Sequence, residues 1–326
     1  MRVRRYLLAA ACSLASLAAV AQEESSVFSF LRLPTSTHAA AIGGQGIALA
    51  DNDAALMDAN PALMQNVRSK TMSLGFMSYM QGVKTGSAHY VQAVNPYGTW
   101  GVTAQFASYG SIVARDEGGV EMGSFSPTDF SVGGGYSHVL SDWISAGATG
   151  RFIYSHYDGY TSLALGIDLG LNYFDEDLDL SVSATASNIG VQVKRFNEVR
   201  ERLPFNLQLG VVKGLGHAPV RIAVTLVDLT RWNKNFYYAP DKDISTGALI
   251  FNHLVVGADI MPAKFLYISL GYNFRRAYEL KAAGSSKLSG LTLGAGVNVK
   301  NFSVGLSWAK YHVSASSLGI NVQYSL

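Results

Sequence analysis

Between Leu163 and Tyr173 the chain reads LALGIDLGLNY. Leu163, Leu165, Ile167, Leu169, Leu171 and Tyr173 fall on one face, and Ala164, Gly166, Asp168, Gly170 and Asn172 on the other. A strict period of two predicts a β-strand between two unlike surroundings. LTLGAGVNV (291–299) repeats the pattern, and LDLSVSATAS (178–187), PFNLQLGVV (204–212) and FSVGLSWAKY (302–311) follow it. Carried along the chain, this periodicity gives about fourteen strands. They fall near 71–80, 86–95, 99–109, 128–138, 143–156, 160–174, 178–188, 204–214, 218–229, 253–261, 264–275, 288–299, 302–310 and 317–326.

The connections sort the architectures. VNPYG, LSD, DED, LGHAP, MPAK and KN are short and rich in turn residues, whereas 110–127, 189–203, 230–252 and 276–287 are long. Short turns on one rim and long loops on the other mark bacterial outer-membrane barrels, with the short turns in the periplasm. A soluble sandwich alternates too, but lacks this asymmetry. The final residues LGINVQYSL alternate to the last one and suit a strand that closes the barrel on its first strand. Aromatic residues gather at predicted strand ends: Trp100, Tyr136, Trp143, Tyr154, Tyr157, Tyr160, Tyr173, Phe174, Tyr272, Phe274 and Tyr311. An interfacial girdle accounts for them. The expected fold is therefore all-β, an antiparallel transmembrane barrel.

Residues 22–68 do not alternate. Their apolar spacing, HAAAIGGQGIALADNDAALM, is helix-like and breaks at Asn60-Pro61. The predicted inward faces are mostly Gly, Ala, Ser and Thr, which leaves room. The segment is expected to fill the lumen as a partly helical plug, with the barrel spanning 69–326. Asp51 or Asp53 is placed to cap a short helix near Ala54, and Asn60-Pro61 to turn the chain. The same acids fail as an EF-hand, because Ala55, Leu56 and Ala62 stand where a ligand, the Gly and the Glu belong. GGQGIAL (43–49) fails as a dinucleotide loop, with no preceding strand and Leu49 in place of the third glycine.

Residues 1–21 read as a secretory signal: Arg2, Arg4 and Arg5, an apolar run, then Ala19-Val20-Ala21, with cleavage expected between Ala21 and Gln22. This predicts export to a Gram-negative outer membrane. Removal of three arginines turns the +2 balance into −1, so the charge suggests no nucleic-acid partner. The one cysteine, Cys12, leaves with the signal. His38, His89, His138, His156, His217, His253 and His312 have no ligand spacing and read as isolated surface or interface residues. No metal or cofactor is expected. No Gly-x-Ser-x-Gly elbow or readable triad occurs, so an enzyme is not expected.

FLRLPTSTHAAAIGGQGIALADNDAALMDANPALM (30–64) resembles the hatch of FadL-like outer-membrane barrels. The shared positions are Leu33, Pro34, Gly43, Gly44, Asp51, Asp53 and the triplet Asn60, Pro61, Ala62. Phe30-Leu31-x-Leu33-Pro34 and Ala39–Gly44 are similar to the PorV/PorQ branch, although Thr37-His38 departs from it. This resemblance implies a non-enzymatic component of the type IX secretion system attachment complex. It implies outer-membrane lipid and lipopolysaccharide as surroundings, and a PorZ-like surface protein, a PorU-like protease and a PorV-like barrel as partners. Two loops are expected to meet a partner: one carrying Arg195, Arg200 and Arg202, the other Arg231, Trp232, Phe236, Tyr237 and Tyr238, since Trp, Tyr and Arg are favoured at interfaces. The alternative left open is a FadL-like transporter of hydrophobic small molecules, because the hatch is common to both.

Overall fold

The computed structural model describes residues 28–80, 82–116, 118–196, 201–232, 244–282, 287–312 and 315–326. The expected cleavage site at Ala21 and Gln22, and Arg200, Phe236, Tyr237 and Tyr238, lie outside them. The strands are β1 (Thr71–Met80), β2 (Val83–Asn95), β3 (Gly98–Ser108), β4 (Ile112–Arg115), β5 (Glu121–Phe125), β6 (Thr128–Ser141), β7 (Ile144–Tyr157) and β8 (Tyr160–Asp175), continuing with β9 (Leu180–Lys194), β10 (Asn206–Gly214), β11 (Val220–Leu226), β12 (Leu254–Ala263), β13 (Leu266–Asn273), β14 (Leu291–Val299), β15 (Phe302–Ala309) and β16 (Ser317–Ser325). All except β4 and β5 form one closed antiparallel barrel of fourteen strands, and β1 pairs with β16 from Thr71↔Ser325 to Ser78↔Leu318. Closure leaves no open sheet edge, which a lipid environment demands.

The alternation has the expected cause. β16 alternates buried and exposed residues along its whole length. Leu318, Ile320, Val322 and Tyr324 face outward, while Ser317, Asn321, Gln323 and Ser325 face the lumen. Tyr97 and Trp143 sit exposed on the short-turn rim, and Tyr160 on the long-loop rim. Two girdle assignments are corrected. Tyr157 points its hydroxyl at Asp129, and Tyr311 lies under the Arg276 guanidinium beside Gly44.

The long loops carry structure the period did not reveal. β4 and β5 form a separate hairpin inside 110–127. Two helices stand on the same rim, α2 (Thr246–Asn252) and α3 (Phe274–Ala282), numbered after α1 (Thr37–Ala41) of the plug. No helix of the described residues is long and apolar enough to cross a membrane.

The plug fills the lumen. It consists of α1 and three 3-10 turns, Ser29–Arg32, Ala54–Asp58 and Pro61–Asn66. Phe28 and Phe30 pack against Ala107, Ile153, Ala164 and Leu203 near the long-loop rim. The plug ends at the opposite rim, where β1 starts. Leu49, Leu56 and Leu63 form its own apolar centre with Ile42 and Ala39.

Candidate functional site

Caps shape the plug. Ser36 caps α1 by accepting from the Ala39 amide (3.2 Å) and donates to Asp53 Oδ2 (2.5 Å). Asp53 in turn accepts from the Ala55 amide (2.9 Å) and starts the 54–58 turn. Asn60 caps the next turn, its Oδ1 accepting from Ala62 N at 3.0 Å, with Pro61 in the first turn where its missing N–H costs nothing. The fully buried Asn60 amide also donates to Ile47 O (2.8 Å) and Ser183 Oγ (3.1 Å). Ala62 O accepts from Ser137 and Ser145 of the wall, both at 3.2 Å. The triplet is therefore a docking point. A side chain at Gly147 would strike Pro61, and one at Gly170 would strike Asn60.

Two ion clusters also fasten the plug to the wall. Asp51 takes both ends of the Arg221 guanidinium (2.7 and 2.9 Å) and His38 Nδ1 (3.1 Å). His38 Nε2 reaches Asp259 at 3.0 Å, and its ring stacks on Tyr267. In the second cluster Asp58 meets His89 Nε2 (2.7 Å) and Arg151 (2.8 Å), which also holds Asp168 (2.5 Å). Each cluster joins a plug acid to a wall arginine and a wall acid, so neither charge is buried alone. Burial opposes a charge on His38, but Asp259 and Asp51 outweigh it and hold its pKa up at about 9. Burial likewise raises the Asp51 and Asp58 carboxyls, and Arg221 and Arg151 with their histidine partners pull both well below the usual range.

A third contact lies at the long-loop rim. Asp228 accepts from Arg32 of the plug (2.9 Å) and from Arg275 of α3 (2.6 Å). It takes positive φ (52°), an uncommon conformation for a non-glycine residue. Burial raises its pKa, yet the two arginines keep it low. Among the described residues, cavities of about 150, 20 and 190 Å³ flank the plug. The largest two are lined by charged and amide side chains, including Arg32, Gln105, Asn188 and Gln208 in one and His38, Asp51, Arg221 and Asn321 in the other. Groups of His, Cys, Asp and Glu suited to a metal are absent among the described residues.

The sequence-derived hatch residues come together. Gly43 and Gly44 hold positive φ (106° and 91°), and Gly43 O accepts from Asn273 (3.2 Å) and Arg276 (3.3 Å). Leu33 packs on the Phe28–Phe30 cluster, and Pro34 borders the outer cavity. The histidine reading is corrected: His38, His89 and His253 are buried, the first two as partners of plug acids. Acids set in the apolar segment 39–64, which holds no Lys or Arg of its own, were the available signal.

Of the loop residues, Arg195 and Arg202 are exposed, but Leu203 dips inward against Gly166 and Gly190. Trp232 is exposed, bonds Leu229 O through its indole N–H (2.8 Å) and lies 4.1 Å from the His253 ring. Arg231 is half-buried, and burial with Arg32 alongside lowers its pKa to about 10. Sequence reasoning missed Ile250, Phe251, Leu288, Val120 and Met122, all exposed on the long-loop rim.

The closed barrel, rim asymmetry and inserted plug define a FadL-like outer-membrane β-barrel fold. Solved structures agree. The Pseudomonas putida toluene transporter TodX superposes with TM-score 0.56 at 12% identity, over 89% of this chain and 97% of that one. A Pseudomonas aeruginosa FadL homologue gives 0.53 at 10%, over 89% and 98%. The monoaromatic hydrocarbon channel CymD gives 0.57 at 12%, over 93% and 99%. No protein-family model and no curated protein matches the chain.

Proposed function

We propose that this chain is a non-enzymatic outer-membrane component of a type IX secretion system attachment complex. It anchors a PorZ-like surface protein that serves cargo processing and attachment to lipopolysaccharide. The hatch resemblance, nearest to PorQ, supplies the system. The observation that carries the anchor role is the occupied lumen. A plug docked on glycines and fastened by two buried ion clusters fills the lumen, and the cavities described beside it, of about 150, 20 and 190 Å³, are smaller than the usual pocket for a drug-sized ligand. The partner surface is the long-loop rim, where Trp232, Ile250, Phe251 and Leu288 are exposed.

One observation favours a second reading. The structural neighbours TodX and CymD are a toluene transporter and a hydrocarbon channel by name, so a transporter of hydrophobic small molecules shares this fold. Gentle affinity purification from native outer membranes separates the two, with a tag at the exposed Asp158–Gly159 turn. Recovery of a surface protease, a second barrel and a large surface protein supports the anchor. Recovery of the barrel alone with a co-purified apolar molecule supports transport.

A further inference from the structure

Ile268 and Leu270 of β13 are exposed on the outer wall, and Tyr272 follows them on the same face. Gly271 has the opposite parity and faces the plug, where a Cβ would lie 2.2 Å from Gly43 N. In a closed barrel the outer face is the one that meets lipid. The apolar row does not stop where the strand ends. The Phe274 ring, first in α3, meets the Tyr272 ring edge to face, with centroids 4.9 Å apart. The Phe251 ring of α2 lies 5.4 Å from that of Phe274. Ile250 and Phe251 are each 52% exposed. The other sides of both helices turn inward. Leu249 and Asn252 of α2 are buried, while Arg275 of α3 reaches Asp228 (2.6 Å) and Arg276 reaches Gly43 O (3.3 Å).

We propose that the Ile250–Phe251 face of α2, together with Phe274 of α3, docks into the acyl layer of the outer leaflet and raises the barrel's apolar belt above β13. Continuity with the belt names the occupant. Ile268, Leu270, Tyr272, Phe274 and Phe251 follow one another from the lipid-facing wall to the helix pair. A helix with an apolar face on one side and polar groups on the other lies in the plane of the membrane interface, its apolar face in the acyl boundary. Aromatic rings favour the same depth. α2 carries no charged residue to resist entry, and Ser245 caps it by accepting from Ala248 N (3.2 Å). α3 does carry charges, and its arginines are spent on the plug side. Ile250 and Phe251 thereby pass to the membrane, while Trp232 and Leu288 stay with the surface open to a partner. The inference holds with or without such a partner.

The test reads the depth of single NBD fluorophores on the purified full chain in dioleoylphosphatidylcholine vesicles. Cys12→Ser gives the background, and Ile250→Cys, Phe251→Cys, Leu270→Cys and Glu121→Cys give the labelling sites. Leu270 marks the belt, and Glu121, in an exposed ion pair with Arg115, marks water. Heat-modifiable gel mobility selects preparations in which each variant is a folded barrel. Labels at 250 and 251 should emit blue-shifted from the label at 121. They should lose most of their emission to a phosphatidylcholine spin-labelled beside its headgroup, and be spared by iodide. The proposal is overturned if both labels behave as the one at 121 does, quenched by iodide and spared by the lipid spin label. The face would then belong to water or to a protein. No surface partner is present in these vesicles, so that failure leaves the anchor reading standing, and failure of the anchor reading leaves the label depths unchanged.

Discussion

Gly147 of β7 and Gly170 of β8 stand directly opposite one another, and the Asn60-Pro61 step of the plug lies on the platform they make. Any side chain there would occupy space the plug already fills. The pair explains why the Asn60-Pro61-Ala62 motif needs bare backbone on a strand wall far along the chain, with Gly147 86 residues beyond Pro61 and Gly170 110 beyond Asn60.

Gly147→Val should therefore loosen the plug without opening the barrel. Overpacking of this kind costs about 1–3 kcal/mol. Limited proteolysis of the folded variant should cut within 28–68 faster than in wild type, while β-structure by circular dichroism stays unchanged. Equal cutting rates would remove the docking role of the glycines.

Arg151→Met leaves Asp58 and Asp168 buried with one partner fewer. Removing one member of a buried ion pair costs about 3–5 kcal/mol. The expected readout is a lower melting temperature and more frequent current fluctuations in planar bilayers than wild type gives. A variant as stable and as quiet as wild type would show that the second cluster does not fasten the plug.

His38 makes plug seating depend on pH. Its folded pKa of about 9 lies above its ordinary 6.5, with Asp51, Asp259, Arg221 and the Tyr267 ring around it. The stability it contributes is full below about pH 6.5 and is lost as pH rises through 9. That is on the order of 3 kcal/mol. Melting temperatures taken from pH 6 to 10 should fall in wild type and stay flatter in His38→Gln. Parallel curves would refute the linkage.

Trp232→Ala should release the surface partner, weakening its retention by about tenfold or more if the indole is an anchor residue. The barrel should still migrate as folded on a gel. Full retention would move the contact to α2 and α3 or to the β4–β5 hairpin.

Much of this fold was legible, for a physical reason. A strand between lipid and a polar lumen has two unlike faces, and strands such as β8, β10 and β16 carry that signature along their length. β9 shows where it fails. Ser181, Ser183 and Thr185 face inward, then Asn188 takes positive φ in a bulge, and Gln192 faces inward on the opposite parity. The phase slips, so the alternation suggests a strand ending near 188 when it continues to Lys194. β4 and β5 are exposed on both faces and have no alternation to read. In the plug, caps such as Asp53 and Asn60 are local and readable. The partners of its charges are not: Arg221 lies 170 residues from Asp51, and only barrel closure brings them together.

The closing strand also touches the plug. Gln323 of β16 accepts from the Ala54 amide (2.8 Å) and donates to Asn52 O (2.7 Å). A cylinder zipped shut around an empty interior would leave the Gln323 side chain without its plug partners and the wall arginines Arg151 and Arg221 with their wall acids alone. Sealing the staves and seating the cork are thus a single cooperative transition, and a hatchless version of this chain should be a poor substrate for closure itself.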